Sequence, residues 1–251
     1  MLPIILLLAI FSPLQKEPTL KKISPKAESV ISRFIRAKGG ESALKKIRDY
    51  AITGEVVAGE RVVGTFEIFQ AANRHLTIDH FPDGSSRRHG TDGKIAWNIG
   101  VDGKATILDG QESRDYMRHY ETMHESLEWQ QQFTAILYSG EKTISNENVN
   151  HLIFVANDNR QINRYFSTKT GLLVREEQIT GTDKDTYCLI SEIREYVRDD
   201  SGCFVSRSRL NHYGADYSIE YKIISVKSNS LSDETFEVPS SVAEIRDEKS
   251  K

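Results

Sequence analysis

Long apolar runs are nearly absent from this chain of 251 residues. The one at the start, Met1 to Ser12, falls short of the ~20 residues that a bilayer-spanning helix needs. Its length suits the core of a secretory signal, although no Lys or Arg precedes it and Pro13 stands close to any cleavage point. We therefore expect a signal peptide over residues 1–14, a Lys- and Pro-punctuated linker over 15–25, one domain over 26–240 and a polar tail over 241–251. The compartment expected is periplasmic or secreted.

Cysteine is scarce as well, with two in all, so no disulfide framework holds this fold. Cys188 and Cys203 flank a hairpin whose turn is Arg198 to Gly202. Pairing about that turn sets Cys203 opposite a residue near Val197, ~30 Å along the strand from Cys188 at ~3.3 Å per residue. Both thiols read as small buried hydrophobes. An excess of either charge is lacking too: the formal net charge is -3. Without a broad cationic field, nucleic acid is not an expected partner. Arg87-Arg88 and Arg207-Ser-Arg209 are small basic spots without interleaved aromatics and read as strand surface.

The motifs of common catalytic chemistry are missing. There is no Gly-x-Ser-x-Gly elbow, no phosphate-binding Walker loop and no dinucleotide Gly-rich turn. His119 and His124 stand five apart, ~140° around a helix, and do not share one ion. His75, His80, His89, His151 and His212 are scattered among strands. Glu176-Glu177 and Asp183 to Asp185 read as solvated turn or outward positions. We expect neither a cofactor nor a metal, and a protein that is not an enzyme.

What is present is period-two patterning. Runs rich in β-branched and aromatic residues occur at 50–57, 61–69, 74–81, 95–99, 105–108, 138–144, 151–155, 162–166, 172–178, 187–197, 204–213 and 217–226, separated by Gly, Asn and Pro-Asp-Gly turns. Helical spacing interrupts them in few places. Ala27, Val30, Ile31, Phe34 and Ile35 predict an amphipathic helix over 26–38, ended by Gly39-Gly40, with a shorter helical piece at 41–47. Tyr116, Met117, Tyr120, Met123 and Leu127 predict a second amphipathic helix over 113–127. Many sequential strands with few helices argue for a mainly β fold with α: a single, strongly curved antiparallel sheet with helices on its concave side.

Alternation gives such a sheet two faces. In Tyr217 to Ile223 one phase is Tyr217, Ile219, Tyr221 and Ile223, and the other is Ser218, Glu220 and Lys222. The same reading assigns Phe66, Ile68, Leu76, Ile78, Ile95, Trp97, Leu152 and Phe154 to the inner face. The ligand wall expected from these patterns is Phe66, Ile68, Leu76, Ile78, Trp97, Tyr217, Ile219 and Tyr221, with Tyr116 and Met117 on the covering helix. An equally physical alternative is a concavity filled by the protein's own helices.

Several stretches resemble the periplasmic lipoprotein-carrier-like proteins, bacterial relatives of the outer-membrane lipoprotein-sorting proteins. These are Ile35 to Ile47 followed at once by a strand, Thr91-Asp-Gly-Lys-Ile-Ala-Trp97, Tyr165 to Val174, and the closing Asp233-Glu-Thr-Phe-Glu-Val-Pro239. The resemblance runs over nearly the whole mature chain and implies an unclosed β-barrel whose apolar concavity receives acyl chains. It implies a monomeric carrier of a lipid or other apolar ligand, or an envelope module with a protein partner. The arginine that ties sheet to lid helices in that family matches no single position here. The Met- and Leu-rich lining of a promiscuous acyl pocket is thin.

Overall fold

The computed structural model describes residues 22–119, 126–157, 159–182, 185–215 and 217–249. The expected signal peptide, Tyr120, Met123 and His124 lie outside the described residues.

The first helix, α1 (Pro25–Lys38), forms where its signals predict. Ser24 is the N-cap in extended conformation: its hydroxyl oxygen accepts from the Ala27 amide at 3.3 Å and from the Tyr138 amide at 3.2 Å. Pro25 occupies the first helical position, where a missing N–H costs nothing. Gly39, at φ 133°, ends the helix, its amide donating to the Arg36 carbonyl. The cap thus fastens α1 to the sheet as well as starting it. Ser24→Ala is expected to lower stability by about 1 kcal/mol, the usual size for a lost cap, read as the urea midpoint.

The strands are β1 (Lys22–Ile23), β2 (Asp49–Ala58), β3 (Arg61–Ala71), β4 (Arg74–His80), β5 (Ser86–Thr91), β6 (Ala96–Ile99) and β7 (Ala105–Ile107) in the first half. The second half holds β8 (Phe133–Ile144), β9 (Glu147–Ala156), β10 (Gln161–Ser167), β11 (Leu173–Thr182), β12 (Asp185–Arg198), β13 (Phe204–Tyr213) and β14 (Tyr217–Ser228). They make one sheet in the order β1-β8-β9-β10-β11-β12-β13-β14-β2-β3-β4-β5-β6-β7. Each meander is sequential, and the two join where β14 pairs antiparallel with β2. The end strands β1 and β7 are not paired to each other, so the curved sheet stays unclosed. β1 lies within the expected linker and pairs parallel with β8, unlike every other pairing in the sheet.

The helices fill much of the concavity. Ala27, Val30 and Ile31 of α1 pack with Phe133, Ile136, Leu152, Phe154, Ala156 and Phe166 in one core cluster. A full burial of a side chain such as Leu152 is worth ~1.5–3 kcal/mol. The short α2 (Glu41–Leu44) leads into a second cluster of Leu44, Ile47, Tyr50 and Cys203. Cys203 is sealed against Gly39, where a Cβ would lie 2.8 Å from its sulfur. Both cysteines are free, but Cys188 is exposed rather than buried, because it sits at the far end of its hairpin.

Three expectations change. β5 carries no apolar residue pattern and was not expected, yet it lies between β4 and β6 in the ladder. The middle helix, α3 (Gly110–His119), begins three residues before 113, and 120–125 lie outside the described residues; Leu127 sits in a turn and packs on the second cluster, and a short α4 (Trp129–Gln132) precedes β8. The tail forms a further helix, α5 (Ser240–Lys249), in which Val242 is fully buried.

Candidate functional site

Strand register decides which side chains share the concavity. Ile52 pairs with Ile68 and Gly54 with Phe66, placing Phe66 and Ile68 in the phase of Tyr50, which packs under α2. Phe66 meets Tyr221 edge to face, ring centroids 5.7 Å apart. Ile219 and Tyr217 follow in the same phase of β14, with Tyr217 55% exposed at the rim.

Leu76, Ile78 and Trp97 do not belong to that face. Ile68 pairs with Thr77, so Thr77 and its phase mates His75 and Asp79 face the concavity, while Leu76 pairs with Phe69 on the other side. Gly90 pairs with both Leu76 and Trp97, which carries Trp97 to the convex face. The C-terminal segment covers this region. Arg74, in the phase of Leu76, stacks its guanidinium 4.7 Å from the Phe236 ring, and α5 packs along β7. The apolar phase of β4 faces outward and is half-buried, and its polar phase, with His75 and Thr77 buried, looks inward.

Under α3 that polar phase forms a cluster. The His75 and Thr77 side chains lie 2.7 Å apart, His89 Nδ1 lies 3.1 Å from the Tyr116 hydroxyl, and the two imidazole rings are 6.1 Å apart. Met117 is half-buried on the same helix. Burial holds the His89 imidazole below its ordinary 6.5; Arg87 adds to this, while Asp79, which accepts two hydrogen bonds from Arg87, opposes it. As pH falls through 6.5 the unfolded chain takes up a proton that the folded His89 resists, so stability is complete above that pH and lost below it. We expect a lower melting temperature at pH 5.5 than at pH 7.5, and a smaller difference in His89→Gln.

A partly apolar cleft lies elsewhere on the concave side, between α1 and the strands β2, β9, β10, β11 and β13. It is a cleft of about 270 Å³ walled by Ile31, Phe34, Trp129, Phe154, Phe166 and Leu173. Among the described residues, Lys38, Tyr50, Ser126, Arg164, Glu176 and Arg209 also line it. Arg164 pairs across the ladder with Glu176, and Arg164 Nε donates to Glu176 Oε2 at 2.7 Å. The two side chains are only 14% and 16% exposed. The Arg164 guanidinium also lies 4.5 Å from the Phe154 ring centroid, a cation–π contact. Burial and the Asp199 carboxylate push the Tyr50 phenol well above its ordinary value, so it stays a neutral hydroxyl at the cleft wall.

None of the ten wall residues expected from the sequence lines this cleft. Tyr221 comes nearest, paired across the ladder with Arg209. Glu176, expected to be a solvated position, is the carboxylate of the ion pair. Its neighbour Glu177 faces out, accepting from Tyr165, whose phenol burial and Glu177 push up to about 12. A signal for the cleft did exist: in Ile162-Asn-Arg-Tyr-Phe166 the arginine falls in the apolar phase.

The arrangement offers a cleft in which apolar side chains and fixed charges stand together. Among the described residues no group of three or more His, Cys, Asp or Glu is placed to hold a metal, and no helix is long and apolar enough to cross a membrane.

No family model and no curated protein sequence is significantly similar to the chain. Solved structures are. A LolA superfamily protein from Nitrosomonas europaea superposes with a TM-score of 0.57 at 9% identity, over 84% of this chain and 97% of that one. This chain has the lipoprotein-carrier fold. A putative outer membrane lipoprotein-sorting protein domain from Vibrio parahaemolyticus matches with a TM-score of 0.55 at 10% identity, again over 84% and 97% of the two chains. A DUF1329 family protein from Desulfovibrio piger gives 0.57 at 12% identity with the same coverage. The carrier fold therefore extends over nearly the full length of these neighbours, which accords with the unclosed sheet and the concave-side helices.

Proposed function

We propose that the protein is a non-catalytic carrier of the bacterial envelope that holds a lipid or acyl chain between α1 and the concave face of the sheet. The observation that carries this reading is the cleft itself: apolar over about half of its described wall, set inside an unclosed sheet, and bordered by a helix whose apolar face already belongs to the core. Such a slot suits a hydrocarbon, because burial of each methylene is worth ~0.8 kcal/mol and needs no directional partner. The name of the Vibrio neighbour, a lipoprotein-sorting domain, and the apolar start of the sequence support an envelope location. Phe66, Ile68, Ile219 and Tyr221 stand on the same face of the sheet as Arg209 and would continue this wall, with Tyr116 and Met117 on the helix over His75 and His89.

A specific observation favours the rival reading of an envelope module with a self-filled concavity: Ala27, Val30 and Ile31 of α1 occupy much of the space over β8 to β10. Native mass spectrometry with organic extraction separates the two, applied to the mature protein purified without detergent from an envelope fraction. Co-purifying phospholipid or acyl chains support the carrier. An apo mass, together with no uptake of added fatty acid, defeats it and directs the search to a protein partner.

A further inference from the structure

The cleft combines apolar side chains with several cationic ones. Among the described residues, the cationic side chains Lys38, Arg164 and Arg209 line it together with the carboxylate of Glu176. Glu176 is committed to Arg164 through a short, largely buried hydrogen bond. Arg209 is different: half-buried in β13, its guanidinium donates no hydrogen bond and forms no ion pair among the described residues, and its charge acts on the Tyr196 phenol. Removing a guanidinium from water without an acceptor is costly, and Arg is the side chain whose planar fork fits a carboxylate or phosphate with two parallel bonds.

Volume limits the other end of the ligand. A methylene occupies about the space of one water, ~30 Å³, so 270 Å³ accommodates roughly nine of them. That is one chain of modest length, and far less than the several chains of a diacyl or triacyl lipid.

Resting on the carrier reading, we infer that the cleft takes a single-chain amphiphile with an anionic head, the head at Arg209 and the chain among Phe34, Phe154, Phe166 and Leu173. A carboxylate of about ten carbons fits the slot without movement of α1.

Isothermal titration calorimetry on the full mature chain tests this with decanoate, decanol and decyltrimethylammonium, each below its micelle concentration. Decanoate is expected to bind on the order of tenfold or more tighter than decanol, the usual effect of a charge-assisted hydrogen bond, and the ammonium compound weakest. From hexanoate to decanoate affinity rises about fourfold per methylene and levels off beyond that length. Arg209→Gln removes the preference for decanoate while decanol binding persists, and Arg209→Lys restores part of it. Persistent decanol binding also reports that the variant is folded.

Equal affinity for decanoate and decanol in the wild type, or an unchanged preference in Arg209→Gln, overturns the anionic head and leaves the carrier reading standing. A rise in affinity continuing undiminished to hexadecanoate overturns the single short chain. Absence of binding by every probe overturns this inference and the carrier reading together.

Discussion

Trp97→Ala is expected to lower stability by about 4 kcal/mol while leaving ligand uptake into the cleft unchanged. The indole is 3% exposed, in β6, paired with Gly90 on one side and Ile107 on the other. Its ring fills the space over Gly90, where a Cβ would stand 2.9 Å from Trp97 Cζ2. Truncation therefore opens a cavity that the flanking glycine has no side chain to refill, which is the costly end of large-to-small substitution. The effect stays local because Trp97 faces the convex side, bracketed by the C-terminal segment at Arg74 and along β7. Urea denaturation measures the first half of the expectation, and fatty-acid titration at 10 °C, where the variant stays folded, measures the second. A Trp97→Ala protein of full stability, or one that is folded but no longer takes up ligand, would place the indole on the wrong face.

The same residue marks what the amino-acid sequence reveals and where it stops. Alternation within a strand is legible: Tyr217, Ile219 and Tyr221 do share one face, as do Phe66 and Ile68, and the helix over 26–38 forms within one residue of its predicted bounds. The face to which an alternating phase belongs is set by register with the neighbouring strand, and a one-residue difference reverses it. In β4 the assumption that apolar means inward assigned Leu76 and Ile78 to the concavity. Pairing of Ile68 with Thr77 sends them outward, because the C-terminal segment gives the convex face an apolar cover of its own. β5 was illegible for a related reason. Ser-Arg-Arg-His-Gly-Thr has no apolar phase, and only its neighbours β4 and β6 make it a strand.

The cleft was hidden in another way. Its walls come from α1, the Ser126 to Trp129 connection and five strands, and no local pattern joins residues so far apart. The one local clue was the charge in an apolar phase. Arg164 alternates with Ile162 and Phe166, and Glu176 stands opposite in the next strand of the hairpin. A charge pair set into the apolar face of a hairpin is expensive to bury and so marks a specific environment. Read that way, β10 and β11 locate the site better than the count of aromatic residues did.

Gly54→Ala is expected to cost about 3 kcal/mol, at the upper end for overpacking, although Gly54 has an ordinary strand conformation. A Cβ there would collide with the Lys222 carbonyl oxygen and with the Phe66 ring, lying 2.6 Å from Phe66 Cε1. The ring has little room to retreat: it is 3% exposed and held edge-on by Tyr221 at 5.7 Å. The strand cannot easily shift either, since β14 already carries a register irregularity between Ile223 and Ser225, beside the Gly54 pairing. Part of the cost comes from the ring and part from the backbone, and a double-mutant cycle separates them. Phe66→Ala should make Gly54→Ala less damaging by ~1 kcal/mol, because the ring no longer resists, while the collision with the Lys222 carbonyl remains. Strict additivity of the two substitutions would mean that Phe66 does not rest on Gly54. The aromatic would then be free to leave the concave wall, and the contact with Tyr221 would not define the far side of the ligand space.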